Sequence, residues 1–454
     1  MKTKIPPSST LSNNQPIKVK ATSNSRTAEI NPTRLLYNLI SILYTRTANM
    51  ASGPSTPAKP QKQPVFESNE AARRIYRIPA LLYERESKTL LAFAEQRKTP
   101  DDASGEKLVM RTGTIKEGSS EKTIEWSELK EVEKALLYRP MNPCPVYEKV
   151  NKKLFLFFIC VEDGITERYQ KENCDNRTRL CYITSEDLGE TWSNVTDLTD
   201  KLCEIKNWAT FAVGPGHGIQ TEGGRLIIPV YAFTCCSSTC LLSCCCKPVA
   251  CSFSCCYKPV TCSFSCCYKS YALSLYSDDH GKNWKFGQMF QSESGECQMA
   301  EVYENKSSSF IYCNARSSCS SRVEAASHDN GVNFNILQPG DKLVETDSGC
   351  QGSVISFPAQ QESANTESDT SQNQNKWLLF THPTNPTDRD DLGVYLNKSP
   401  RDPKAWSKHW IINNGPSGYS DLAYIDNGWF ACLFECGQHE IHEQIASVVF
   451  YKDV

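Results

Sequence analysis

One octapeptide, Ser-x-Asp-x-Gly-x-Thr-Trp, restricts the folds open to this chain more than any other feature of it. The pattern is complete at Ser185-Glu186-Asp187-Leu188-Gly189-Glu190-Thr191-Trp192. It returns at 277–284 with Asn283 in place of Thr, and more loosely at 327–334, where Asn333 and Phe334 close the motif. Each copy follows a short apolar run (180–184, 272–276, 323–326) and precedes another strand-forming stretch. The residue types are those of a hairpin turn. The Asp carboxylate accepts backbone N–H bonds, the Gly supplies a positive φ, and the aromatic packs beneath the turn. These residues build turns and carry no chemistry.

From residue 66 onward the chain reads as short strands. Runs at 80–83, 90–94, 154–161, 179–184, 225–233, 271–276, 310–315, 352–357, 376–381 and 429–435 are each bounded by Gly, Pro, Asp, Asn or Ser, and no long stretch has helical periodicity. Such a chain makes a sandwich, a barrel or a propeller, and the internal repeat selects the propeller. The octapeptides start 92 and 50 residues apart. At roughly 40–50 residues per blade, the first interval fits two blades and the second one. The expectation is an all-β, six-bladed β-propeller over residues 61–454.

Other segments stand apart from this pattern. Residues 1–60 are rich in Ser, Thr, Asn, Pro and Lys, with Glu29 the sole acid. They read as a disordered extension, with an acid-poor transit peptide as the alternative; Met50 opens a second plausible start. Twelve of the 23 cysteines crowd between Cys235 and Cys267, where 247–257 is followed by a near-identical copy at 258–268. That tandem duplication reads as an inserted loop over 235–270, and the polar stretch 359–375 as another. The other eleven cysteines are scattered singly, often in apolar runs, as buried free thiols in a reducing compartment would be. Sequons at Asn176, Asn194, Asn305 and Asn397 carry little weight without a secretory route. The net charge of −3 provides no basic field for nucleic acid, and no run of eighteen apolar residues is present to cross a membrane as a helix.

Chemistry-bearing residues recur in a particular order between the octapeptides. Tyr76-Arg77-Ile78-Pro79 comes first, then Glu95-Gln96-Arg97 and Asp101-Asp102. Met141-Asn142-Pro143-Cys144-Pro145 and the run from Phe211 to His217 follow. Next come Glu296-Cys297-Gln298-Met299-Ala300-Glu301, Asn314-Ala315-Arg316-Ser317, Thr387-Asp388-Arg389-Asp390-Asp391, Tyr419-Ser420-Asp421-Leu422, and Glu435. This ordered set, with octapeptides of the Asp-box type, resembles the vertebrate exo-α-sialidases over nearly all of 66–454. The cytosolic and plasma-membrane members, including the ganglioside-preferring type, are the most similar.

The resemblance implies roles. Sialic acid carries a carboxylate on its anomeric carbon, and guanidinium forks suit that anion; Arg77, Arg316 and Arg389 would form the binding triad, with Arg97 a further contact. A carboxylate nucleophile would be repelled, and sialidases use tyrosine; that residue is Tyr419, with Glu296 activating it and Glu301 the alternative. Asp102 is the implied acid/base, Asp101 its alternative, and Glu435 the acid that orients Arg77. Tyr231 would contact the substrate, and Phe233 stands where relatives can have a second Tyr that faces the glycerol side chain. Glu167 would contact outer polar groups, unless it is a solvated loop residue. No cofactor is implied, and no metal-ligand spacing stands out. The expected substrates are sialylated glycolipids and glycoproteins. The expected location is cytoplasmic or peripheral to the plasma or an endosomal membrane, not secreted. Clustered cysteines beside Phe, Leu and Tyr are candidates for S-acylation; a neutral expanded loop is the alternative. A lectin-like propeller would lack Tyr419, Glu296 or Asp102, and a Cys-based metal module would need paired Cys-x2-Cys spacing.

Overall fold

The computed structural model describes residues 60–118, 121–132, 138–235, 268–305, 308–359 and 375–452. The N-terminal extension and the bodies of the Cys-rich and polar insertions, read from the sequence as disordered or looped, lie outside the described residues.

The described chain is all-β, apart from one short helix, Glu167–Asn173, and a few 3-10 turns. Glu167, expected to contact outer polar groups with a solvated loop residue as the alternative, is the first residue of that helix, which Thr166 caps by accepting from the Tyr169 N–H at 3.0 Å. Each of the ten runs read as strands coincides with one, from Ile75–Glu84 to Trp429–Cys436. Antiparallel hydrogen bonding joins the strands into five sheets. The first runs from Ile75–Glu84 to Lys130–Glu131, the second from Arg139–Glu148 to Thr196–Asp197, the third from Trp208–Val213 to Lys285–Phe286, and the fourth from Cys297–Asn305 to Asn335–Ile336. The fifth has seven strands, with Gln63–Glu67 at one edge and Ser353–Pro358 at the other.

Packing explains why these sheets form a ring. The strand Lys153–Val161 is buried on both faces. Leu154, Leu156, Phe158 and Cys160 pack with Leu91, Phe93 and Met110 of the first sheet, while Phe155, Phe157, Ile159 and Val161 pack with Phe211, Ile228 and Leu275 of the third. A strand with period-2 side chains and two apolar faces must lie between two neighbours. The same holds onward. Ile227 and Ala272 meet Met299 and Ile311, and Val302 and Tyr312 meet Val354 and Phe380. The seven-stranded sheet folds back on itself through Ile355 and Leu379 against Phe430 and Phe434, and its last part meets the first sheet through Leu433 and Ile445 against Leu81 and Val109. Hydrogen bonding gives five sheets; packing gives six apolar interfaces around the circuit. The long strand Trp410–Tyr424 reconciles them. Its first half pairs with Asp390–Asn397 and its second half, from Ser417, with Trp429–Cys436. The blade count depends on whether that sheet is taken as one unit or two.

The Asp-boxes staple the second, third and fourth sheets each to the one before. In all three the Ser hydroxyl accepts from the Gly N–H (2.8, 2.9 and 2.8 Å), and the Asp carboxylate accepts from the backbone N–H of residue 191, 283 or 333 at 2.8 Å. Asn283 and Asn333 replace the Thr hydroxyl bond with a side-chain amide bond to the same carboxylate, which is why the looser copies work. Trp284 then packs edge-on against Phe157 of the preceding sheet at 4.7 Å. One expectation fails here. Ser185 and Ser277 end strands in consecutive sheets, so the interval of 92 residues is one sheet lengthened by the Cys-rich insertion and not two blades.

Gly281 combines φ +83° with a site where an added Cβ would lie 2.4 Å from Phe155. Gly224 has φ +90° but nothing within 4 Å. Gly281→Ala is therefore expected to lose about 1 kcal/mol for the left-handed backbone and a further ~1–3 kcal/mol for overpacking, while Gly224→Ala loses only the first. Thermal unfolding of the two variants checks this; equal losses would contradict the tight interface.

Candidate active site

The pocket lies where strand ends and bulges from successive sheets converge, and it encloses about 760 Å³. Arg77, Arg97, Asp102, Glu167, Tyr231, Glu296, Arg316, Arg389 and Tyr419 all line it, although they span more than three hundred residues of sequence. Glu435 lies behind Arg77. The alternative Glu301 does not line the pocket; it accepts from the Glu222 N–H at 2.9 Å.

Tyr419 is the centre. Its hydroxyl donates to Glu296 Oε1 at 2.5 Å and accepts from Arg316 Nη1 at 3.1 Å, and that same nitrogen donates to Glu296 Oε2 at 2.8 Å. The Arg77 and Arg389 guanidiniums stand 5.9 and 5.3 Å from the ring centroid. Ile78 and Cys350 pack with the ring as an apolar cradle. Burial first, then the Glu296 carboxylate, push the phenol well above its ordinary pKa, against the pull of Arg316 and Arg389.

Glu435, fully buried, holds this side of the site together. It accepts from Arg77 Nε at 2.7 Å and Nη2 at 3.3 Å, from the Ile78 N–H at 2.8 Å and from the Tyr419 N–H at 3.1 Å. Two local irregularities make this possible. The strand Ile75–Glu84 shifts register between Arg77 and Ala80, with Ile78 at φ +58°, and Trp410–Tyr424 shifts between Ser417 and Ser420. Such bulges re-aim side chains and free backbone donors.

Arg97 is buried; its Nε donates to Glu95 at 2.8 Å, its Nη2 stands 2.6 Å from the same carboxylate, and its Nη1 donates to the Pro100 carbonyl and to Asp102. Asp102 itself is 73% exposed at the pocket mouth, on the 3-10 turn Asp102–Ser104. Asp101 caps that turn by accepting from the Ala103 N–H at 2.7 Å, which distinguishes the two neighbouring acids by their contacts. Glu167 pairs with Lys171 at 2.6 Å. Tyr231 is buried, and its phenol is raised by that burial and by Glu167.

Several contributors were not singled out from sequence. Glu95 is buried and joins Arg97 to the Asn142 N–H at 2.6 Å. Arg139 donates to the Ala103 and Ile165 carbonyls and so links the Asp102 turn to the segment before Glu167. Glu345 and Arg322 form an ion pair of 2.8 Å with both side chains fully buried. Only the apolar runs around these charges would have marked them, since a charge inside a strand-like run must have a partner. Among the described cysteines none is in a disulfide; Cys144, Cys160, Cys181, Cys297, Cys313, Cys350, Cys432 and Cys436 are buried, whereas Cys174, Cys203 and Cys319 are exposed.

Comparison with known proteins agrees with this geometry. A family profile described as a BNR repeat-like domain matches residues 88–432. Sialidase-3 of Bos taurus is 40% identical over 416 residues, covering 85% of this chain and 92% of that protein. Sialidase-4 of Mus musculus is 34% identical over 476 residues, covering 87% and 94%. Among solved structures, the Hadza microbial sialidase Hz136 superposes with a TM-score of 0.63 at 17% identity, covering 86% of this chain and 68% of that one. Trypanosoma rangeli sialidase gives 0.58 at 16%, covering 88% and 60%; likenesses at such identity speak for the fold. Fold and pocket together define a β-propeller glycoside hydrolase. The chain belongs to the sialidase family.

The Glu435 carboxyl feels burial as an upward push, but Arg77 and the two backbone N–H donors outweigh it and hold it below the usual carboxylate range. A depressed folded value means that its stabilisation is present above the unfolded value, about 4.3, and is lost as pH falls through the folded one. Glu435→Gln is expected to cost about 3 kcal/mol at neutral pH, with the gap to wild type narrowing below about pH 4. Denaturant melts across pH measure it; a gap independent of pH would contradict the assignment.

Proposed function

We propose that the pocket carries out retaining exo-hydrolysis of terminal α-linked sialic acid, with Tyr419 as nucleophile. The observation that carries this reading is the Tyr419–Glu296 contact of 2.5 Å, with Arg316 bonded to both. A phenol is inert at its ordinary pKa of about 10, and more so here, so it needs a base in contact.

Arg77, Arg316 and Arg389 take the substrate carboxylate and set C2 over the phenolic oxygen. Tyr419 Oη attacks C2 as its proton passes to Glu296. The C2–O glycosidic bond breaks, its electron pair stays on the leaving oxygen, and that oxygen takes a proton from Asp102. In the second half Asp102 removes a proton from water, the water oxygen bonds to C2, and the C2–Oη bond breaks. Tyr419 then recovers its proton from Glu296. Two displacements at C2 retain configuration. The exposure of Asp102 suits an acid that must meet both the departing aglycone and the incoming water, and Arg97 restrains it there.

Tyr419→Phe is expected to lose most turnover, on the order of a thousandfold or more, with an unchanged melting profile. Asp102→Asn is expected to impair sialosides with poor leaving groups far more than activated aryl sialosides, because only the former need protonation. Full activity in Tyr419→Phe, or equal losses in Asp102→Asn, would overturn the respective roles. Proton NMR of the first-formed sialic acid anomer tests retention.

The substrate class proposed is sialylated glycolipid and glycoprotein, gangliosides included, reached from a membrane-held position. The support is positional. The Cys-rich insertion leaves and re-enters the sheet at the rung Thr234–Lys269, and Phe233 and Ser270 of the next rung line the pocket. S-acylation of that insertion would hold the pocket mouth against a bilayer, and two or more chains are needed for stable anchoring. Deleting 244–267, or treating the intact protein with hydroxylamine, is expected to move it from the membrane to the soluble fraction. No change under either treatment would leave the insertion as a neutral loop.

A further inference from the structure

The structure assigns a positioning role to Glu345, a buried carboxylate that touches no pocket space yet fixes two of the three pocket arginines. This rests on the reading of Arg316 and Arg389 as ligands of a substrate carboxylate. Neither the Asp-boxes nor the ordered set of pocket motifs includes Glu345, which sits in the connection between Asn335–Ile336 and Ser353–Pro358.

Its contacts fall on two backbone segments. Oε2 accepts from the Ser317 N–H at 3.1 Å, one residue past Arg316, and from Arg322 Nη1 at 2.8 Å. Oε1 accepts from the Cys350 N–H at 3.0 Å, one residue past Gly349, and His382 Nε2 stands 2.9 Å from it. One carboxylate therefore ties the start of the loop after Ser308–Ala315 to the tight turn at 346–350. Arg322 adds a second tie between the same segments, since its Nη1 also donates to the Cys350 carbonyl.

The tight turn then addresses the pocket. Arg316 Nη2 donates to the Ser348 carbonyl, and Arg389 Nη2 donates to the Gly349 carbonyl at 2.9 Å. Both guanidiniums are thus aimed by successive carbonyls of one turn whose next N–H is held by Glu345. Cys350 in the same turn packs beneath the Tyr419 ring. Burial pushes the Glu345 carboxyl upward, but Arg322 and His382 more than offset it, so it is held far below the ordinary range and stays charged. The charge matters because a neutral amide at the same place would present two N–H donors to the donors it now accepts. Loss of this anchor frees the turn by a fraction of an ångström, enough to misalign a two-arginine clamp.

The test uses two probes that differ only in the group the arginines are proposed to bind: the unsaturated glycal of N-acetylneuraminic acid and its methyl ester. Wild type is expected to bind the free acid far more tightly. Equal binding of both by wild type would sink the arginine reading itself and not this inference. Given the wild-type preference, Glu345→Gln is expected to reduce the acid-to-ester ratio by roughly tenfold or more, through weaker binding of the acid alone, and to raise KM more than it lowers kcat. Glu345→Asp is expected to recover part of the ratio. If Glu345→Gln is not recovered folded, His382→Gln, which removes one neighbour of Oε1, is read by the same ratio and is expected to lower it less. A ratio equal to wild type in whichever variant is folded overturns the inference, as does a fall in melting temperature with both probes weakened equally.

Discussion

A phenol ring flanked by guanidiniums, with its hydroxyl on a carboxylate, sets the conditions that the rest of the site must meet. Three cations converge on one side chain before any anion arrives, and like charges at this spacing repel in a partly desolvated pocket. The chain neutralises them unequally. Arg77 has Glu435, and Arg316 has Glu296. Arg389 makes no ion pair among the described residues; it has the Gly349 carbonyl and the face of Tyr419. Around Tyr419 itself two carboxylates face three guanidiniums, so an anionic sugar would meet one arginine without a carboxylate partner of its own. A site fully neutralised in advance would bind such a ligand poorly, and one with all three arginines unpaired would not hold its shape.

The fold delivers these groups through irregularities in otherwise regular strands. Bulges fall next to Arg77, next to Asn142 and next to Tyr419. At each, a backbone N–H released from the ladder turns to a buried carboxylate: Ile78 and Tyr419 to Glu435, and Asn142 to Glu95. A regular ladder would have used those donors between strands and left the carboxylates unsatisfied. The bulges and the buried acids therefore require each other. The ring around them tolerates such departures because each sheet is clamped on both faces by apolar contacts and, at three places, by Asp-boxes remote from the pocket.

Legibility in the sequence followed chemistry that is local. The Asp-boxes could be read because the bonds of their Ser and Asp side chains that shape the turn lie within eight residues, and apolar strands such as Lys153–Val161 announced themselves by composition. Arg139–Glu148 was harder, since Pro140, Pro143 and Pro145 look like turn residues until a bulge accommodates them. Trp410–Tyr424 was hidden by its Asn-Asn-Gly-Pro-Ser-Gly run, which marks the point where one strand passes between partners and not a loop. The pocket residues were reached through family motifs, and geometry then gave the neighbours that sequence left open different surroundings: Asp102 bonds Arg97 and Asp101 the Ala103 N–H, both lining the pocket, while Glu296 lines it and Glu301 does not. What stayed invisible was the buried ionic support. Arg139, Arg322 and Glu345 acquire meaning only from partners outside their own motifs, as does the bond of Glu95 to the Asn142 N–H, and no spacing rule encodes those.

The electrostatics of the central pair also limit how the reaction can begin. Ionisation of Tyr419 ahead of attack is opposed by burial and by the Glu296 charge, and the two arginines that would favour it do not outweigh them. A substrate carboxylate entering the triad would occupy those same arginines and add a further negative charge near the ring. Binding therefore makes a free phenolate less accessible. In the proposed mechanism the proton would therefore leave as the bond to C2 forms, along the short contact to Glu296, so that attack does not begin from a free phenolate. Arg316 is bonded to both the phenol and the carboxylate, the two groups between which that proton would pass. On the roles proposed, the arrangement that would hold the anion also favours attack by Tyr419 and proton transfer to Glu296 in one step.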